Sequence, residues 1–286
     1  MRRRWLFWVG LFDQKELGTS LALFRISLGL VALYSLLSIA AAGLVGPLWT
    51  SVQYGGMRAL GGNWLVQYLG GPTPNVIWAL WGVAVASSIA FVLGLGGPVA
   101  GRVVTFVMLQ SYNALATMNP LASGSYDALL SNGLWVLVFA DATATLSVYA
   151  RWRKEGWLSK TLVCAWPRYI LIFQLLLMYS FTGLQKAAHI WTPGGGYTAL
   201  YYYRYTADRG GRVRTWALRR DWRLGWACVG LSMHIGILLL MNVGPFSWVS
   251  MSYYFLLWTP AEWAKIGRRM RDWWRRTFVT EDRNNS

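Results

Sequence analysis

The chain has 286 residues, 55% of them hydrophobic and only 13% charged, where average soluble proteins carry about 25% charged residues. That balance, with 19 Trp, excludes an ordinary soluble enzyme, and two cysteines with two histidines exclude a disulfide framework and argue against a protein-only zinc centre. The net charge of +16 does not favour nucleic acid, because the basic residues cluster beside apolar segments (Arg2–Arg4, Arg151–Lys160, Arg204–Arg223, Lys265–Arg276), the pattern that anionic lipid headgroups attract.

In chain order, Arg2–Arg4 and a short apolar stretch interrupted by Asp13, Lys15 and Glu16 read as an interfacial segment over residues 1–18, without a signal-peptide cleavage site. Thr19–Ala42 is the first stretch reaching the roughly 20 apolar residues that cross a bilayer. A Gly/Pro/aromatic loop, Gly43–Pro74, has room for an interfacial helix. Further spans are expected at about Asn75–Leu95, Val99–Met118, Ser125–Leu146, Trp166–Ala188, Gly225–Val243 and Phe246–Thr259. Gly96-Gly97-Pro98, Asn119-Pro120, Pro193-Gly-Gly-Gly196 and Gly244-Pro245 punctuate them. The two cysteines, Cys164 and Cys228, are expected to be small buried residues. The fold class is therefore all-α, a polytopic helical membrane protein with about seven transmembrane helices plus interfacial amphipathic helices. Its domain covers residues 19–260, and a basic amphipathic tail covers 261–286. Counting positive residues places the N-terminus, the Arg102 turn and the Arg151–Arg168 loop in the cytoplasm. Seven spans then leave Arg204–Arg223 and the tail outside, against the same rule, unless an extra crossing near residues 188–203 restores it.

The residue that stands out is Lys186, one of five lysines and the one at the end of an apolar run. An ammonium there either snorkels to the interface or belongs to a site, and a desolvated lysine can serve as a neutral base. Tyr179, Thr182, Lys186 and His189 recur at spacings of three and four, one stripe of a helix. Such a stripe faces protein or a water-filled cavity, as a site or as packing against polar neighbours. Arg25, inside the first span, either snorkels, pairs with Asp127 or Asp141, or meets a substrate. His234, inside the sixth, titrates, binds, or donates a hydrogen bond. Gln110 and Asn113 read as interhelical contacts.

Several segments resemble, in order, the membrane helices of vitamin K-dependent γ-carboxylase. They are Leu21-Ala-Leu-Phe-Arg-Ile26 with Gly29-Leu30; Phe139-Ala-Asp-Ala142 with Ser147-Val148; Gly183-Leu-Gln-Lys186 with Trp191; His234 with Asn242-Val-Gly-Pro-Phe246; and Pro260-Ala-Glu-Trp263. The set is similar to the wider horizontally transferred transmembrane (HTTM) domain family, and most like its bacterial SdpB-type factors, which mature secreted peptide toxins. The resemblance implies that Lys186 is the base. It implies that Arg25, Asp141, Trp191, His234 and Asn242 are framework or pocket residues, and that a reduced quinone such as vitamin K hydroquinone is the cofactor. Ala122-Ser-Gly124 stands where the carboxylase has Asn-Asn-His, and nothing in these residues corresponds to its large extramembrane domain.

The expected protein is thus a multi-pass factor of a bacterial plasma membrane, with its N-terminus in the cytoplasm. It would help mature or export a small secreted antimicrobial peptide with a companion protein, binding anionic headgroups and no nucleic acid. Two alternatives stand beside it: a quinone-dependent carboxylase- or oxygenase-like enzyme, and a non-enzymatic scaffold or immunity component.

Overall fold

Helix α1 (Thr19–Ala41) forms where the chain runs apolar without proline, and its buried positions Leu21, Phe24, Arg25, Leu28, Ala32 and Leu36 recur at helical spacing. The computed structural model describes residues 9–10, 13–57, 62–119, 123–153, 156–185, 220–240, 244–275 and 277. The loop after α1 holds short helices α2 (Val45–Trp49) and α3 (Trp64–Tyr68), with a 3-10 turn at Val52–Tyr54 between them. Helix α4 (Pro74–Leu93) starts with Thr73 capping the Val76 N–H and proline in its first turn. It stops at Gly94, whose φ of 65° is left-handed. Helix α5 (Gly97–Met118) returns antiparallel, and α1, α4 and α5 pack into the centre of the core.

Helix α6 (Ser125–Phe139) opens with Asp127 accepting from the Gly124 N–H at 2.7 Å. The sequence suggests a span reaching Leu146, but the helix ends seven residues earlier, at Phe139. The cause is local. The Asp141 carboxylate accepts from the Thr143 N–H at 3.2 Å and hydroxyl at 3.0 Å, a turn that competes with helical bonding. After α7 (Val148–Trp152), strand β2 (Leu162–Cys164) pairs antiparallel with β1 (Lys15–Leu17). The body is mostly helical, in keeping with the all-α expectation; the small ribbon was not legible, because strands of three residues carry no readable alternation. The remaining helices are α8 (Trp166–Gln185), α9 (Arg220–Leu240), α10 (Phe246–Tyr254) and α11 (Pro260–Trp274).

Among the described residues, α1 and α4 are long and apolar enough to cross a membrane. That is two of the seven spans expected. Helices α5, α8 and α9 have the length, but polar residues dilute their apolar windows, as Thr105, Gln110, Ser111 and Asn113 do in α5. Cys164 is half-buried, accepting from the Lys15 ammonium at 2.9 Å, and Cys228 is exposed, so neither is the small buried residue expected.

The contacts also fix which segments share an end of the bundle. The Ser20 hydroxyl donates to the Trp258 carbonyl, Arg168 pairs with Glu16, and Arg168 donates to the Leu256 carbonyl. The start of α11 therefore lies at the same end as β1, β2 and the beginnings of α1 and α8. At the other end, Gly244, just past α9, approaches Tyr126 at the start of α6. Helices α8 and α9 consequently run in the same direction. The seven-span expectation put the basic tail opposite the N-terminus; the structure puts the start of that tail beside it.

Candidate functional site

Two separate polar clusters contain Tyr179 with His234 and Arg25 with Asp141. The first is built by α8, α9 and α10. Tyr179 of α8 is hydrogen-bonded through its hydroxyl to His234 Nε2 of α9, and its hydroxyl lies 3.3 Å from that of Tyr254 on α10. His234 is fully buried. Its ring centroid lies 5.8 Å from Phe246 and 6.1 Å from Tyr254. Gly230 allows this packing: a Cβ there would stand 2.0 Å from the Tyr254 hydroxyl oxygen, so α9 carries no side chain where α10 crosses it.

The remaining nitrogen of His234, Nδ1, is buried with no hydrogen-bond partner among the described residues. Whichever tautomer the Tyr179 bond selects, Nδ1 is left as an unsatisfied donor or an unsatisfied acceptor. An orphaned ring nitrogen on a histidine packed against two phenols is suited to take a polar atom of a ligand. Tyr179 begins the stripe identified from spacing, and Thr182 lies on the same helix. Lys186, His189, Trp191 and Asn242 lie outside the described residues.

The second cluster is built around Arg25, which is 1% exposed. It neither snorkels nor forms an ion pair with Asp127 or Asp141. Its Nη1 donates to the Ala142 carbonyl at 2.7 Å, and its Nη2 donates to Leu146 at 2.6 Å and Val92 at 3.3 Å. Arg25 thus ties the end of α4 to the non-helical stretch 140–147, whose carbonyls are free because α6 stops early. Gly94 makes room for it, since a Cβ there would lie 2.5 Å from Nη1. Asp141 sits in the same corner but spends one oxygen on Thr143. A narrow crevice with room for about one water molecule lies here, lined by Arg25, Gly94, Arg102, Thr105, Ala142 and Thr143. Asp127 belongs elsewhere, accepting from the Tyr112 hydroxyl at 2.7 Å. Asn113 accepts from Ser131 of α6, so it does link two helices.

A profile of the HTTM domain matches residues 14–209. The chain belongs to the HTTM domain family. Comparisons with the curated proteins and with the solved structures found no match. The HTTM match takes in Arg25, Asp141 and Tyr179 and runs through Lys186, while His234 and Tyr254 lie beyond it. Within the described residues, the Tyr179–His234–Tyr254 cluster is one of the places where the HTTM segment meets the later helices, along with Ser27–Ser252 and Arg168–Leu256. Two participants carried no sequence signal. Tyr254 lies between the Asn242–Phe246 and Pro260–Trp263 motifs and in neither, and Gly230 is one of 30 glycines. Among the described residues no group of three or more His, Cys, Asp or Glu could hold a metal.

Proposed function

We propose that this HTTM protein is a multi-pass factor of a bacterial plasma membrane, of the SdpB type. It would act with a companion protein in the maturation or export of a small secreted peptide. The observation that carries the reading is the buried Tyr179–His234–Tyr254 cluster within an HTTM protein. It is set on the helix whose stripe leads, by the spacing of three and four, to Lys186. The longer helices cross the bilayer, and the basic end, with the N-terminus, faces the cytoplasm.

In this reading Lys186 works as a neutral amine and removes a proton. Tyr179 holds His234 in one orientation, and His234 Nδ1 receives or supplies a hydrogen bond at the bound group. The orphaned Nδ1 also favours a second reading, in which the bound group is a reduced quinone and the chain is carboxylase- or oxygenase-like. His234 and the two phenols would then hold a quinol oxygen, and the quinol would supply reducing equivalents.

Co-expression with the peptide, followed by its mass spectrum, tests both readings. Lys186→Ala and Lys186→Arg are each expected to abolish maturation, because a guanidinium does not deprotonate. Full activity of Lys186→Arg rules out the base. A product heavier by one carboxyl or hydroxyl group selects the enzyme reading.

A further inference from the structure

The geometry points to α11 as a helix that lies flat on an anionic bilayer surface and binds phosphate-bearing lipid headgroups. At 100° per residue, Trp263, Ile266, Gly267, Met270, Trp273 and Trp274 occupy one arc of about 120°, and Lys265, Arg268, Arg269, Arg271 and Arg275 occupy the opposite side. A cationic face opposite a Trp-bearing apolar face is the signature of an interfacial helix.

The structure adds what the wheel alone does not show. The beginning of α11 is anchored: Thr259 and Glu262 form a capping box, and Trp263 Nε1 donates to the Phe255 carbonyl at 3.1 Å. Trp263 and Ile266 are half-buried, and Trp263 packs tilted against Phe255 and Trp258, ring centroids 5.7 Å from each. The apolar arc therefore begins against the bundle and grows more exposed along the helix. Met270 is 65% exposed, Trp273 60% and Trp274 56%.

The side of α11 that touches the bundle is the side that must face the bilayer core, and it is the apolar one. The five cations are left facing the headgroups and water. They lie at the end of the bundle that also holds Arg102, Arg151 and Lys15, where positive charge has gathered from distant parts of the sequence. That convergence is the complement of an anionic leaflet. Glu262 does not oppose it, being held by Thr259, and Asp272 is the one other acid on the helix.

The test uses the full chain in lipid nanodiscs, with Cys164→Ser and Cys228→Ser, spin-labelled at Met270→Cys or, separately, at Arg268→Cys. In discs containing phosphatidylglycerol, the label at 270 should collide with oxygen and be shielded from an aqueous nickel chelate, and the label at 268 should show the reverse. Arg269→Gln, Arg271→Gln and Arg275→Gln together should reduce the shielded population. Each lost charge is worth roughly fivefold, so the three should cost on the order of a hundredfold. Phosphatidylcholine discs should weaken the shielding without any substitution. Free access of the chelate to the 270 label in phosphatidylglycerol would overturn the inference. So would shielding that is equal in both lipids and accompanied by spin–spin broadening, which would show a second copy covering the face.

Discussion

Replacing Arg25 tests whether the protein is held together by a cation satisfied by carbonyls rather than by a counter-ion. In Arg25→Met the carbonyls of Ala142 and Leu146 lose donors at 2.7 and 2.6 Å. Hydrogen bonds to a charged group contribute roughly 1.5–3 kcal/mol each, so the two amount to roughly 3–6 kcal/mol. The Val92 bond, at 3.3 Å, adds little. The unpartnered Nε, buried at a cost of about 1–2 kcal/mol, is relieved by the same substitution. The expected net loss is about 3 kcal/mol. Arg25→Lys keeps the charge but replaces a two-nitrogen fork with one nitrogen, and should lose about half as much. Unfolding of the detergent-solubilised protein by titration with a denaturing detergent measures both. An Arg25→Met protein within about 1 kcal/mol of the parent would refute the account, since the Ala142 and Leu146 carbonyls would then be finding other partners.

Arg168→Met should cost about 3 kcal/mol in the same titration, because it strands Glu16, now paired at 2.8 Å with side-chain exposures of 7% and 13%. Glu16→Gln should cost less, and a double-mutant cycle should show coupling between the two sites. Gly230→Ala places a Cβ 2.0 Å from the Tyr254 hydroxyl oxygen and should destabilise by about 2 kcal/mol. Tyr254→Phe in the same chain should restore part of that loss, and no restoration would locate the clash elsewhere. Tyr179→Phe removes the hydroxyl that holds His234. It should lower the yield of matured peptide at least tenfold while thermal stability stays within a few degrees, and a proportional loss of both would make the pair structural.

The sequence made the helical body legible because hydrophobic periodicity is a property of neighbouring residues. Helix α1 was expected at Thr19–Ala42 and lies at Thr19–Ala41, and α5, expected from Val99, starts at Gly97 and ends at Met118. The expected fourth span ran on past Phe139, because Ala, Thr and Leu after Asp141 look helical by composition. A side-chain turn at Asp141 ends the helix instead. The candidate site was legible residue by residue but not as an assembly. Spacing singled out Tyr179 and a place inside an apolar span singled out His234, whereas Tyr254 and Gly230 gave no signal, since their role exists only where α9 crosses α10.

By itself the sequence determined that this is a helical, strongly basic HTTM chain of membrane character with ionisable residues inside apolar runs, because composition and period need no partners. Only the tertiary structure decided what those residues meet. Arg25 meets three carbonyls rather than an acid, His234 meets Tyr179, and the basic tail starts beside the N-terminal strand. Each of these depends on segments tens to hundreds of residues apart arriving at one place. That is set by how the helices pack and where they stop, and no local pattern encodes it.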